Sequence, residues 1–216
     1  MNYITIDGIT CSGKSLYAKI LLKENKKKEK KTIIIAKDLF LKSRLKRIRI
    51  AKNLKKNLSN QNQIHYNQKK IKDALNFLRK KNKSEIYFQN LYDRKTGKNI
   101  LKYSLSLKKI KTIIYEGIYV NEDLKNFFKP NYKILIVGNV YESLKKKIER
   151  IRDKKILIQN VVEEFIKIHL KSFLKYLKKE NFDTCLICKD KKFFSIKNGK
   201  NIQIKLINNF LEKHAY

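Results

Sequence analysis

Apolar residues fall into two periods along this chain. Short, nearly continuous runs read as strands buried on both faces: Ile4–Asp7 within a first strand at 2–7, then Thr32–Ala36, Thr112–Tyr115 and Lys133–Val137. Between them the period changes to that of a helix. Residues 14–24 place Ala18, Leu21 and Leu22 on one face, and residues 71–81 do the same with Ile71, Ala74, Leu75 and Leu78. Asn139 and Glu142 have the spacing of a capping box, which opens a helix with the stripe Val140, Leu144, Ile148 and Ile151. Residues 158–179 read as one long helix carrying Val162, Phe165, His169 and Phe173 on one side. Asn198-Gly199, set between Phe193–Ile196 and Ile202–Leu206, is a hairpin signal. Strands alternating with helices predict a mainly parallel α/β sheet in three layers. The whole of 1–216 is expected to form one domain. A substrate-side excursion, partly a hairpin, is expected at about 84–110 and a lid at about 146–157.

Composition changes the picture in one respect. Fifty-three Lys and Arg face nineteen Asp and Glu, a formal charge of +34. Such a charge ordinarily points to nucleic acid or an anionic surface. Here Lys, Asn and Ile abound, while the chain has six Gly, one Pro and no Trp. AT-rich codons encode the abundant set, so a biased genome accounts for most of the basicity. The lysines are also spread along the chain rather than gathered in a block. A nucleic-acid partner is therefore not expected, nor a membrane, since no apolar run approaches the roughly 18 residues a span requires. The start reads as a strand rather than a signal peptide, so the cytosol is the expected compartment. The expected partner is a small-molecule substrate, with a homo-oligomer left open. Cys185 and Cys188 have C-x-x-C spacing but no second ligand pair, and read as structural thiols in a buried strand.

The chemistry begins at Gly8-Ile9-Thr10-Cys11-Ser12-Gly13-Lys14-Ser15, which matches G-x-x-x-x-G-K-[ST] at every position. With so few glycines, the match should arise by chance roughly 0.004 times per chain. It stands between a strand and a helix, where a glycine-bearing loop can turn its N–H groups onto phosphates beside the positive end of the helix. Lys14 is expected to reach the β- and γ-phosphates of ATP or GTP, and Ser15 to hold Mg²⁺. Phosphoryl transfer to an alcohol also needs a metal carboxylate, a base for the hydroxyl, and cations over the migrating phosphate. Asp38 and Glu116 follow predicted strands, at the ends where such sheets bind ligands. Asp38 is the expected base and Glu116 the expected metal carboxylate. Arg150 and Arg152 are candidate lid cations. His169 reads as core.

Together these pieces resemble the uridine kinase and phosphoribulokinase family of P-loop kinases, from residue 1 to about residue 190. Asp38-Leu39-Phe40 is similar to its D-x-F/Y motif, Tyr92-Asp93-Arg94-Lys95-Thr96-Gly97 to its substrate-side Y-D-x-x-T, Tyr115-Glu116-Gly117-Ile118-Tyr119 to its E-G-I/L, and Arg150-Ile151-Arg152-Asp153 to its lid signature. The resemblance implies a kinase with uridine or cytidine as first acceptor and Tyr92, Asp93 and Arg94 on the acceptor side. The chain departs from the pattern at Gln63–Asn67, where the ribose carboxylate is replaced by Ile64. It departs again at Arg94 and Gly97, where base-reading residues stand in the family, and at Lys154–Ile156, where the second lid arginines are missing. Three rival readings stay open: a kinase of the same family acting on a sugar phosphate or vitamin-like alcohol, a basic nucleic-acid-binding NTPase, and a degenerate member that binds nucleotide but turns over poorly.

Overall fold

The computed structural model describes residues 1–28, 31–53, 65–79, 85–150 and 158–214. Six strands form one sheet in the order β2 (Thr32–Ala36), β5 (Thr112–Glu116), β1 (Asn2–Gly8), β6 (Tyr132–Val137), β7 (Thr184–Lys189), β8 (Lys192–Ser195). All neighbours are parallel except β8, which runs antiparallel to β7. A separate antiparallel pair, β3 (Glu85–Tyr92) and β4 (Asn99–Ser106), lies between α3 (Gln68–Arg79) and β5.

The strand runs divide between the two faces by the period of two. Ile114 of β5 and Ile134 and Ile136 of β6 join Ile6 and Ala18 on the face covered by α1 (Lys14–Lys27). Ile113 and Tyr115 face the other way, against α3 and the β3–β4 pair. Leu135 and Val137 pack with Phe165, Phe173, Ile207 and Phe210 from the C-terminal helices. The three-layer arrangement is that expected from the alternating periods.

Three expectations need correcting. Asn198-Gly199 is not a hairpin turn. Asn198, in the left-handed region at φ 54°, begins α8 (Gly199–Lys213), whose buried positions Gly199, Gln203, Ile207 and Phe210 follow helical spacing. The hairpin lies one element earlier, between β7 and β8, where Asp190 and Lys191 take the positive φ values (50° and 61°) of a tight primed turn. Residues 158–179 are helical but not uniformly so. A π-helical segment, Glu164–Leu170, separates α6 (Ile158–Glu163) from α7 (Lys171–Lys179), and Val162 is only half-buried. Cys185 and Cys188 are free and only half-buried: of the β7 residues Leu186 alone is buried, with Cys185 packed at the edge of the C-terminal-helix core. The N-cap half of the capping box forms: the Asn139 side chain accepts the N–H of Glu142 at 3.1 Å to open α5 (Val140–Glu149).

Residues leading away from the sheet are fixed by a buried ion pair. Lys37 begins a 3₁₀ turn (Lys37–Phe40) after β2 and is fully buried. Its ammonium lies 2.8 Å from Asp123 of α4 (Val120–Leu124) and donates to the Ile118 carbonyl at 2.9 Å. Tyr115 donates to the same Asp123 oxygen at 2.8 Å. Removing one partner would strand the other charge in the core. Asp123→Ala should therefore destabilise the fold by about 3–5 kcal/mol in denaturant unfolding, and a loss below 1 kcal/mol would show that the pair is solvated.

Candidate active site

The register places the candidate chemistry on one edge. Glu116 is level with Ile6 of β1 and with Ala36 of β2, so the carboxyl ends of three parallel strands converge. Gly8 ends β1 with φ 153°, and a Cβ there would come within 2.6 Å of the Ile136 carbonyl, so only glycine fits. Gly13, at φ 102°, is the N-cap of α1, and no side chain caps that helix. The N–H groups of a helix's first turn have no intrahelical acceptors, so the loop meets a ligand with free donors and the dipole's positive end. Ile9 is buried, Thr10 half-buried, and Cys11 takes a left-handed φ of 61°. Ser12 is buried with its hydroxyl unpartnered.

Lys14 is 8% exposed and curls over its own loop, donating to the carbonyls of Gly8 at 3.0 Å and Ile9 at 2.6 Å. Burial lowers its pKa, opposed by the carboxylates of Glu116, Asp38 and Asp7. Ser15 donates to Glu116 Oε1 at 2.8 Å, which joins the two residues expected to share a metal ion. Burial pushes the Glu116 carboxyl up, against the pull of Lys14. A hydroxyl and a carboxylate in contact beside a buried ammonium are hard oxygen donors of the kind Mg²⁺ takes, together with phosphate oxygens.

Asp38 sits half-buried in the 3₁₀ turn and forms an ion pair with Arg94. The Tyr66 hydroxyl donates to its other oxygen at 3.4 Å. Burial alone would raise the Asp38 carboxyl, but Arg94, with Lys14 and Arg47 beyond it, outweighs burial and holds it below the usual range. Arg47 of α2 (Arg44–Asn53) donates to the Tyr92 hydroxyl at 2.7 Å and lies over the Tyr92 ring at 4.9 Å. The Asp93 carboxylate is engaged by its own turn, accepting from Lys95 N at 2.9 Å and from the Thr96 hydroxyl at 2.8 Å. Gly97 closes that turn at φ 73° and accepts the Arg44 N–H at 2.9 Å. Arg150 follows α5 at an exposed position, while Ile64 and Arg152 lie outside the described residues.

One site residue has no distinguishing motif. Asp7, fully buried, accepts the backbone N–H groups of Gly8 at 2.8 Å, Tyr119 at 3.1 Å and Val120 at 3.1 Å, and the Tyr176 hydroxyl. Burial raises its carboxyl to about 6, with those donors, Lys14 and Lys37 pulling the other way. Asp7 thus ties the phosphate loop to the turn after Glu116. The only sequence signal is a carboxylate directly before the first loop glycine.

No family model matches the sequence, and no curated protein matches it. Solved structures do resemble the fold. A protein described as a possible uridine kinase from Bacillus stearothermophilus superposes with a TM-score of 0.60 at 16% identity, covering 85% of this chain and 87% of that one. The fold is that of the P-loop kinases. D-glycerate 3-kinase from Cryptococcus neoformans gives 0.54 at 9% identity, covering 90% and 89%. Phosphoribulokinase from Rhodobacter spheroides gives 0.53 at 13%, covering 86% and 69%. At such identities the likeness concerns architecture, and the chemistry must rest on the residues. Among the described residues no helix is long and apolar enough to cross a membrane.

Lys14→Met supplies a direct check on the loop. The variant should lose at least about tenfold in ATP affinity by calorimetry while its thermal midpoint stays level or rises, because an ammonium is costly to bury. Unchanged affinity would separate Lys14 from the phosphates.

Proposed function

We propose that this protein transfers the γ-phosphoryl group of ATP or GTP to a hydroxyl of a small metabolite. The observation that carries the reading is the convergence of Lys14, Ser15–Glu116 and Asp38 on the carboxyl edge of one sheet. Gly8–Ser15 wraps the phosphates. Lys14 exchanges the Gly8 and Ile9 carbonyls for the β- and γ-phosphate oxygens. Ser15 and Glu116 are the residues that would hold Mg²⁺, which, when bound, neutralises the charge building on the transferring group. Asp38, held ionised by Arg94, accepts the proton of the acceptor hydroxyl as its oxygen bonds to the γ-phosphorus. The bond from that phosphorus to the β-phosphate oxygen breaks, and the diphosphate leaves. Arg150 and Arg152 are the proposed lid cations.

Uridine or cytidine is the first acceptor reading, supported by the order of the motifs. A second is favoured by a specific contact. Arg94 sits on the base itself, with Arg47 nearby, and a guanidinium fork suits a phosphate or carboxylate. An alcohol bearing such an anion would draw Arg94 off Asp38 as it binds, freeing the base.

A panel of nucleosides and anionic alcohols decides between these readings. Turnover of uridine and cytidine well above purine nucleosides supports the first. Turnover only of an anionic alcohol, with Arg94→Ala raising its KM, supports the second. No turnover of any alcohol counts against the kinase reading itself.

Three variants divide the roles. Glu116→Gln should weaken metal use and be partly rescued by more Mg²⁺. Asp38→Asn should keep ATP binding and lose about 10²-fold or more in kcat. Since Arg94 holds the Asp38 carboxyl down, Arg94→Ala should move the acid limb of kcat/KM to higher pH. A limb that stays in place would mean that another group is the base.

A further inference from the structure

A second cluster of ligating side chains lies outside the phosphate-transfer machinery. His65 comes just before α3, while Glu164 and His169 come from the π-helical segment after the region of the expected lid. In an α-helix, residues five apart point well away from each other. The wider π turn, with its i to i+5 hydrogen bonding, brings Glu164 and His169 to one side, and the His169 Nε2 lies 3.0 Å from Glu164 Oε1. His65 Nε2 faces the same oxygen at 3.6 Å. The three ligand atoms lie within 4.8 Å of one another.

The imidazole of His65 is what the packing leaves unexplained. The residue is 4% exposed, and neither ring nitrogen has a hydrogen-bond partner. An orphaned buried polar group costs about 1–3 kcal/mol, and two on one ring are a cost the fold would be expected to recover elsewhere. The other oxygen of Glu164 faces the Lys147 ammonium at 3.6 Å. The carboxylate is thereby balanced on one side and presents Oε1 to both imidazoles.

We propose that His65, Glu164 and His169 form a site for a divalent late first-row cation of the zinc class, cross-bracing the segment before α3 to the π-helical segment Glu164–Leu170. Two imidazoles and one carboxylate are a known zinc donor set that leaves a coordination position open. With ligands about 2.1 Å from the ion, tetrahedral geometry needs donor atoms about 3.4 Å apart, close to the 3.0 and 3.6 Å that separate Glu164 Oε1 from the His169 and His65 imidazoles. Burial lowers the pKa of both imidazoles, and the neutral ring is the form that ligates a metal. Mg²⁺ is a poor fit, since it prefers an all-oxygen octahedron. His169 also lines a cavity of about 10 Å³ with Ile9 and Thr10 of the phosphate loop, so the brace adjoins the nucleotide site without sharing a ligand with it.

The test uses the full chain stripped of metal, without nucleotide, and reads binding rather than turnover. Zn²⁺ should bind once per chain in a chelator competition, at least about 100-fold tighter than Mg²⁺. At a hundredfold excess over its Kd it should raise the thermal midpoint by about 5–10 °C. Co²⁺ in its place should give the visible absorption of a four-coordinate site. His65→Gln and His169→Gln should each weaken Zn²⁺ binding by about tenfold or more, and Glu164→Gln likewise. Binding should survive in Glu116→Gln and in the Cys185→Ser/Cys188→Ser double variant. Zn²⁺ binding that disappears in either of those two while persisting in the histidine variants would overturn the proposal. So would a metal-free chain that binds no Zn²⁺, or histidine variants that fold with unaltered affinity. None of these outcomes depends on the kinase reading.

Discussion

Four charged side chains, Asp7, Lys14, Lys37 and Glu116, are each less than one-tenth exposed at the carboxyl edge of a single sheet. Burying so much charge is tolerated only if every group finds an opposite charge or a fan of donors. That constraint organises the edge. Asp7 collects three backbone N–H groups and a tyrosine hydroxyl, and so fixes the distance between the loop and the turn after β5. Lys37 is answered by Asp123, which sets the start of the turn bearing Asp38. Glu116 is answered by Ser15. Lys14 alone is satisfied only by carbonyls of its own loop. In the proposed reaction the β- and γ-phosphate oxygens take the place of those carbonyls.

What the sequence made legible was whatever is local. The phosphate loop is eight consecutive residues, and its glycines answer a backbone requirement that leaves little freedom. The buried strands Thr32–Ala36 and Thr112–Glu116 carry their own signal, as does the Asn139 cap. Asn198-Gly199 misled because a left-handed asparagine serves a hairpin turn and a helix start equally well. Only the later buried positions, Gln203, Ile207 and Phe210, distinguish them. Gln203 is itself a long-range feature: its amide pairs with both backbone groups of Gly138, 65 residues earlier in the chain.

The features that escaped reading are those made by tertiary contact. The partners that hold Asp7 from outside the loop, Tyr119, Val120 and Tyr176, are 112, 113 and 169 residues away. Arg94 stands 56 residues from Asp38, and no spacing rule pairs them. His169 looked like a core residue because the residues around it are apolar. Its polar role depends on a π turn that the pattern does not announce, and on His65, a hundred positions earlier. The same holds for the acceptor. A pocket that selects a substrate is assembled from distant loops, and here those loops bring Arg94 and Arg47 to Asp38.

The central claim is that the γ-phosphoryl group passes to an alcohol and not to water. A single-turnover experiment with γ-labelled ATP and a mixed pool of nucleosides and anionic alcohols tests it directly. The account predicts that label moves into an acid-stable phosphomonoester, at a rate lost in Lys14→Met and strongly reduced in Asp38→Asn. Label appearing only as inorganic phosphate, at a rate indifferent to Asp38, would contradict it.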